Sequence, residues 1–152
     1  MNKSWIANGF TAANALFGGL SIMMSISGEY HVAAICILIA MAADAFDGRV
    51  ARALGTAGPM GVELDSLSDD ISFGVAAGAL MYSYQLRELG AFGFIPCALL
   101  GAFCAFRLAR FNVKVTSVHG YFEGLPCPTV GVIIACYVLS GVKIWNWLAM
   151  VC

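Results

Sequence analysis

An all-α integral membrane bundle is the fold class that this sequence predicts, on three observations. Apolar residues fill 61% of the 152 positions and charged residues only 11%, where a soluble domain carries roughly one quarter charged residues. The apolar positions gather into successive windows close to the roughly 20 residues that a helix needs to cross a bilayer. The connections between windows are short, as between helices of one bundle.

The first window, 5–27, is long, lacks a convincing small-residue cleavage site and runs at once into another apolar stretch. It therefore reads as a retained first span and not as a signal peptide. The second, 31–50, ends in the polar run DAFDGRVAR; the third, 67–84, emerges from GVELDSLSDD; the fourth, 91–111, closes on FRLARFN; the fifth covers 126–142. A sixth opens at Lys143 and reaches only Cys152, too short to span at 1.5 Å per residue. The expectation is a single catalytic domain over 1–152, a six-helix bundle whose last helix is incomplete in this chain. Gly18, Gly19, Gly74, Gly78 and Gly101 lie inside windows, where small residues let membrane helices approach closely.

Lys3, Arg49, Arg52, Arg107, Arg110 and Lys114 fall on one side of this topology, and Arg87 and Lys143 on the other. The excess of positive charge places the N-terminus, the Asp-rich region and the 113–125 loop in the cytoplasm. The net charge of −1 includes no basic patch, which argues against a nucleic-acid partner. The six cysteines show no C-x-x-C spacing, so neither a disulfide framework nor a zinc site is expected. Trp5, Trp145 and Trp147, at window ends, read as interfacial anchors.

Against this apolar background, six of the nine acidic residues lie between positions 44 and 70. Asp44 and Asp47 are three apart and Asp65 and Asp69 four apart, so each pair shares one face of its helix. Gly48 and Ala51 flank the first pair and Gly61 precedes the second by one turn, leaving room for a bulky ligand against the backbone. Four clustered carboxylates stay ionised only with positive charge between them. Oxygen-only donors favour hard ions, and two facing pairs suggest two divalent cations arranged to clamp a diphosphate. Arg52, on the same helix, offers a guanidinium to phosphate oxygens. Asn14 is either a hydrogen-bonding contact between helices or part of this polar site.

Asp44, Asp47, Gly48, Ala51, Arg52, Gly61, Asp65 and Asp69 fit D-x2-D-G-x2-A-R-x8-G-x3-D-x3-D at every fixed position. In this the chain resembles the CDP-alcohol phosphotransferases, membrane enzymes with a six-helix core that move a phosphatidyl-type group from a CDP-linked donor to an alcohol. Within that family ELDSLSDDISFGVA, FRLARFNV, YFEGLPCPTVG and the pattern Asn8, Thr11, Asn14 and Gly18 are similar to the phosphatidylserine synthases. Ala7 departs from the family, standing where a proline is usual.

The resemblance implies that Asp44, Asp47, Asp65 and Asp69 ligate two divalent ions, Mg²⁺ or Mn²⁺. It further implies that Gly48, Ala51, Arg52 and Gly61 line the CDP and diphosphate site, and that Asp69 is the base acting on the hydroxyl of L-serine as it attacks CDP-diacylglycerol. A homodimer in a prokaryotic cell membrane, with its active site on the cytoplasmic side, is the expected assembly. Asp70 projects about 100° from Asp69 and reads as a cap or an outer group. An amino-acid acceptor brings a carboxylate, for which Arg107 and Arg110, three apart, are candidates; the lipid phosphate is the other ligand either could take. Asn112, Glu123 and Asn14 complete the acceptor-side candidates. The rivals are another transferase of the family, an archaetidylserine, phosphatidylglycerophosphate or inositol-phosphate synthase, and a divalent-cation or proton-coupled transporter.

Overall fold

The computed structural model describes residues 4–54, 58–115 and 126–142. They form helical rods with no strand among the described residues. Helices α1 (Ser4–Ile26) and α2 (Tyr30–Leu54) make an antiparallel hairpin. Gly28, at φ 85°, turns the chain between them, and Glu29 N donates to Met24 O over 2.9 Å. Left-handed φ of this kind favours glycine at a helix C-terminus. Ser21 Oγ ties the hairpin together by donating to Ala33 O over 2.9 Å.

Pro59 opens α3 (Pro59–Asp69) at a position where its missing N–H is no loss. A π-helical segment, Asp70–Val75, continues α3 into α4 (Ala76–Tyr84), and the Ala76 N–H reaches back five residues to Ile71 O. A single 3-10 turn, Leu86–Leu89, leads to α5 (Ala91–Val115). Helix α6 (Cys127–Leu139) packs against α2, α4 and the π segment. The predicted partial span 143–152 lies outside the described residues.

The interior consists largely of small residues. Ala33, Ala34, Ile37 and Ala40 of α2 meet Phe73, Ala77 and Leu80 of the central rod and Ala135 and Val138 of α6. Many of the large apolar side chains point outward instead, Phe103 and Phe106 of α5 being 66% and 75% exposed while Asn14 is fully buried. This reversal of the soluble pattern fits a lipid solvent, in which close helix approach replaces the hydrophobic drive. Gly131 shows the approach directly: a Cβ there would stand 2.8 Å from Phe73 Cδ1. Helices α1, α2 and α5 contain stretches long and apolar enough to cross a membrane, at Gly9–Ile26, Tyr30–Val50 and Ala91–Arg110.

At one end of the bundle, Tyr137 OH donates to buried Gln85 Oε1 and Tyr84 lies edge-on to both Tyr30 and Tyr137. The acidic residues occupy the other end, near the close of α2 and on α3.

Candidate metal and nucleotide site

Two helices carry the carboxylates and a third holds them. Asp44, Asp65 and Asp69 each present one oxygen so that all three lie within 4.8 Å of one another. Asp47 stands apart from this triad: it is 5% exposed and accepts a hydrogen bond from Thr11 Oγ1. One turn further along α1, Asn14 Nδ2 donates to Asp69 Oδ1 over 3.0 Å. Thr11 and Asn14 are three apart, so one face of α1 gives each acidic helix a neutral donor. The π segment secures that face, because Ser72 Oγ donates to the Asn14 carbonyl over 2.9 Å. Gly18 makes the contact possible, since a Cβ there would collide with Ser72.

The charges bearing on Asp65 are those of Asp44 and Asp47, all of one sign. Burial, then Asp44, then Asp47 push the Asp65 carboxyl up to about 6. Three converging hard oxygens in this condition can hold a divalent cation, which would reverse the penalty. The fully buried Asn14 Oδ1, with no hydrogen-bond partner, adds an unsatisfied acceptor beside Asp69. The donor set therefore fits a hard metal ion.

Of the predicted nucleotide-side residues, Gly48 lies exposed on α2, next to Asp47. Gly61 is half-buried, and a Cβ there would meet nothing within 4 Å. The fold itself thus does not require glycine at position 61; the space is open to a ligand. Ala51 and Arg52 continue α2, with side chains outside the described residues.

The acceptor-side candidates separate. Arg107 is half-buried and donates from Nη1 to Cys127 Sγ over 3.2 Å, whereas Arg110 is exposed. Asn112 Nδ2 donates to Ser66 Oγ over 3.0 Å, which fastens α5 to the residue after Asp65. Glu123 lies outside the described residues. Asp70, on the π segment, turns toward α5 and the Cys104 thiol. In the sequence Thr11 stands out only as part of the pattern Asn8, Thr11, Asn14 and Gly18. Its spacing to Asn14 on a helix that meets both acidic elements was the signal for its role.

The sequence profile of the CDP-alcohol phosphatidyltransferase family matches residues 4–152. The chain belongs to this family. It is an all-α membrane protein of that fold, with the acidic motif on α2 and α3. It is 38% identical over 133 residues to a CDP-diacylglycerol–serine O-phosphatidyltransferase of Helicobacter pylori, covering 87% of this chain and 56% of that protein. It is 40% identical over 130 residues to the archaetidylserine synthase of Methanothermobacter thermautotrophicus, covering 84% and 55%. With a CDP-diacylglycerol–serine O-phosphatidyltransferase of Bacillus subtilis the identity is 38% over 122 residues, covering 80% and 68%. The chain thus spans little more than half the length of the first two relatives.

Proposed function

We propose that the chain transfers a phosphatidyl group from CDP-diacylglycerol to L-serine, giving phosphatidylserine and CMP. The observation that carries this reading is the convergence of Asp44, Asp65 and Asp69 in a chain whose relatives are named for that transfer. Asp44, Asp47, Asp65 and Asp69 would hold two divalent cations, Mg²⁺ or Mn²⁺. When bound, such ions supply charge neutralisation to a diphosphate. Gly48, Ala51, Arg52 and Gly61 would receive the CDP moiety, the open space at Gly61 being consistent with that.

Asp69 serves as general base. A serine hydroxyl is a weak nucleophile at neutral pH and needs a base within hydrogen-bond reach. Asp69 takes the hydroxyl proton as the serine oxygen forms its bond to the phosphorus of the phosphatidyl group. The phosphorus–oxygen bond to CMP breaks, and CMP departs with that electron pair. Asn14 Nδ2 fixes the Asp69 carboxylate for this step. Arg107, Arg110 and Asn112 are the acceptor-side or lipid-phosphate residues of the same proposal.

The distribution of Lys and Arg supports an active site on the cytoplasmic side, the bacterial and archaeal relatives support a prokaryotic cell membrane, and family resemblance supports a homodimer. The identity to an archaetidylserine synthase favours one variant reading, with the same acceptor and an ether-linked donor. The test is CMP release by purified protein from ester- and ether-linked CDP-lipids, with serine, glycerol 3-phosphate and inositol phosphate competing. Serine-dependent release that requires Mg²⁺ or Mn²⁺ is expected, falling at least about a hundredfold in Asp69→Asn. Product from another acceptor alone would overturn the serine assignment, and full activity in Asp69→Asn would overturn the base.

A further inference from the structure

Two free cysteines meet across the bundle, Cys104 on α5 and Cys127, the first residue of α6. Both are buried, at 7% and 5% exposed. Their thiols are in hydrogen-bond contact, and Cys127 Sγ also lies 4.0 Å from the Cys104 carbonyl, so one sulfur touches both the side chain and the backbone of the other residue. Such proximity is the first requirement of a bridge. Arg107, one turn beyond Cys104, donates from Nη1 to Cys127 Sγ over 3.2 Å.

A buried cysteine commonly serves as a small hydrophobe. Two observations set this pair apart. A half-open cleft of about 130 Å³ between the π segment, α5 and α6 is lined by both cysteines and Arg107, with Phe73, Leu100 and Phe103 as its apolar walls. The sulfurs are thus shielded from bulk solvent and still within reach of a small solute. The guanidinium, moreover, is already aimed at Cys127 Sγ, the setting in which a sulfur acts as a thiolate nucleophile. Metal capture does not account for the pair. Among the described residues only Asp44, Asp65 and Asp69 converge as three metal ligands, which leaves the thiols without the further ligands of a zinc site.

We propose that Cys104 and Cys127 are a redox-active dithiol, closed to a disulfide by hydrogen peroxide and reopened by a dithiol reductant, and that closure takes the sulfur seat away from Arg107. The Cys127 thiolate attacks one peroxide oxygen and the O–O bond breaks. The second oxygen leaves with the electron pair and takes up the Cys127 proton as water. The Cys104 sulfur then attacks the sulfenic acid at Cys127, the S–O bond breaks, and the hydroxyl leaves with the Cys104 proton as a second water. Two thiols are oxidised and one peroxide is reduced. The cleft admits a neutral peroxide, whereas sites for drug-sized ligands begin near roughly 300 Å³, which excludes glutathione disulfide. A disulfide sulfur carries no negative charge, so Arg107 Nη1 loses its partner while α5 becomes tied to α6. On the cytoplasmic side proposed above, a disulfide is transient and redox-sensing in character. The consequence for turnover rests on the transferase reading, in which Arg107 is an acceptor-side or lipid-phosphate residue; the cross-link does not.

The experiment treats reduced protein in detergent with hydrogen peroxide or glutathione disulfide, alkylates the remaining thiols and maps the peptides by mass spectrometry. Peroxide should give a peptide linking Cys104 to Cys127 and an intact mass lower by two hydrogens, both reversed by dithiothreitol. Glutathione disulfide should give neither the link nor an adduct at these residues. Serine-dependent CMP release should fall about tenfold in the linked protein, the worth of a hydrogen bond to a charged group, and return on reduction. Cys104→Ala should form no link and keep its CMP release through the same treatment. The mapping uses the unsubstituted protein and so does not depend on the folding of the variant. Both thiols remaining alkylatable after peroxide, oxidation of Cys127 past the sulfenic acid without a link, or a glutathione adduct on Cys127 would each overturn the dithiol. A link that leaves CMP release unchanged would overturn the effect on Arg107. Absence of CMP release from the reduced protein with any acceptor would fell the transferase reading, and the mapping would still decide the disulfide.

Discussion

Asn14 on α1 and Asp69 on α3, 55 positions apart, are joined by a 3.0 Å hydrogen bond from Nδ2 to Oδ1 at the edge of the carboxylate triad. The helix with no acidic residue of its own thus aims the side chain assigned as base. Replacing Asn14 with Ala should lower kcat about tenfold, the worth of one hydrogen bond to a charged group, with the helical circular-dichroism spectrum retained. Asn14→Asp should lower it further, because it sets a like charge against Asp69.

Thr11 plays the corresponding part for Asp47. Thr11→Val keeps the shape but removes the donor, leaving a buried carboxylate oxygen short of a partner. It should cost about 1–3 kcal/mol, read as a lower thermal midpoint in detergent with EDTA. Thr11→Ser should recover most of the loss.

The raised Asp65 carboxyl gives the metal-free protein a pH dependence of definite sign. Its folded value of about 6 exceeds the ordinary aspartate value of 3.8, so between those values the folded state binds more protons than the unfolded chain. The contribution is fully present below about pH 4 and is lost as pH rises through about 6. In EDTA the thermal midpoint should therefore fall between pH 5 and 7 by more in the unsubstituted protein than in Asp65→Asn. Mg²⁺ should offset the fall by favouring the ionised form.

Two glycines predict opposite behaviour. Gly131→Ala would place its Cβ 2.8 Å from Phe73 Cδ1, and overpacking of that kind costs about 1–3 kcal/mol. Gly61→Ala meets nothing within 4 Å and replaces a helix-interior glycine, which should leave stability equal or raised by about 0.5–1 kcal/mol. Its effect should appear as a higher KM for CDP-diacylglycerol. Thermal midpoints and KM values of the two variants check both halves.

The helices and the acidic motif were legible because their signals are periodic and local: apolar windows of spanning length, and aspartates at three- and four-residue spacing on DAFDGRVAR and GVELDSLSDD. What the sequence hid depends on contacts across the fold. Nothing in Asp47 itself signals that it turns to Thr11 while its three companions converge. Arg107 and Arg110 look equivalent at three apart, yet only the packing of α6 against the central rod turns one toward Cys127 and leaves the other exposed. Cys104 and Cys127 read as isolated small hydrophobes, because 23 positions separate two residues that the bundle makes neighbours. The third helix was expected from position 67, whereas it begins at Pro59, since the polar residues that lower its hydropathy are those that build the site.

The wide turn at Asp70–Val75 bears on how this rod tolerates insertion and deletion. A π segment is an α-helix that has absorbed one surplus residue within a single turn, so the helical phase on either side is conserved. Asp65 and Asp69 keep their bearing on α1 and α2, and Gly78 and Leu80 keep theirs on the rest of the bundle. The register error is confined to the few residues between. Those residues include Asp70, Ser72 and Phe73, which reach three different neighbours from one loosened turn. Excising a single residue there would restore an ordinary helix with both ends correctly oriented, and the loss would fall on the lateral contacts that only the extra residue makes possible.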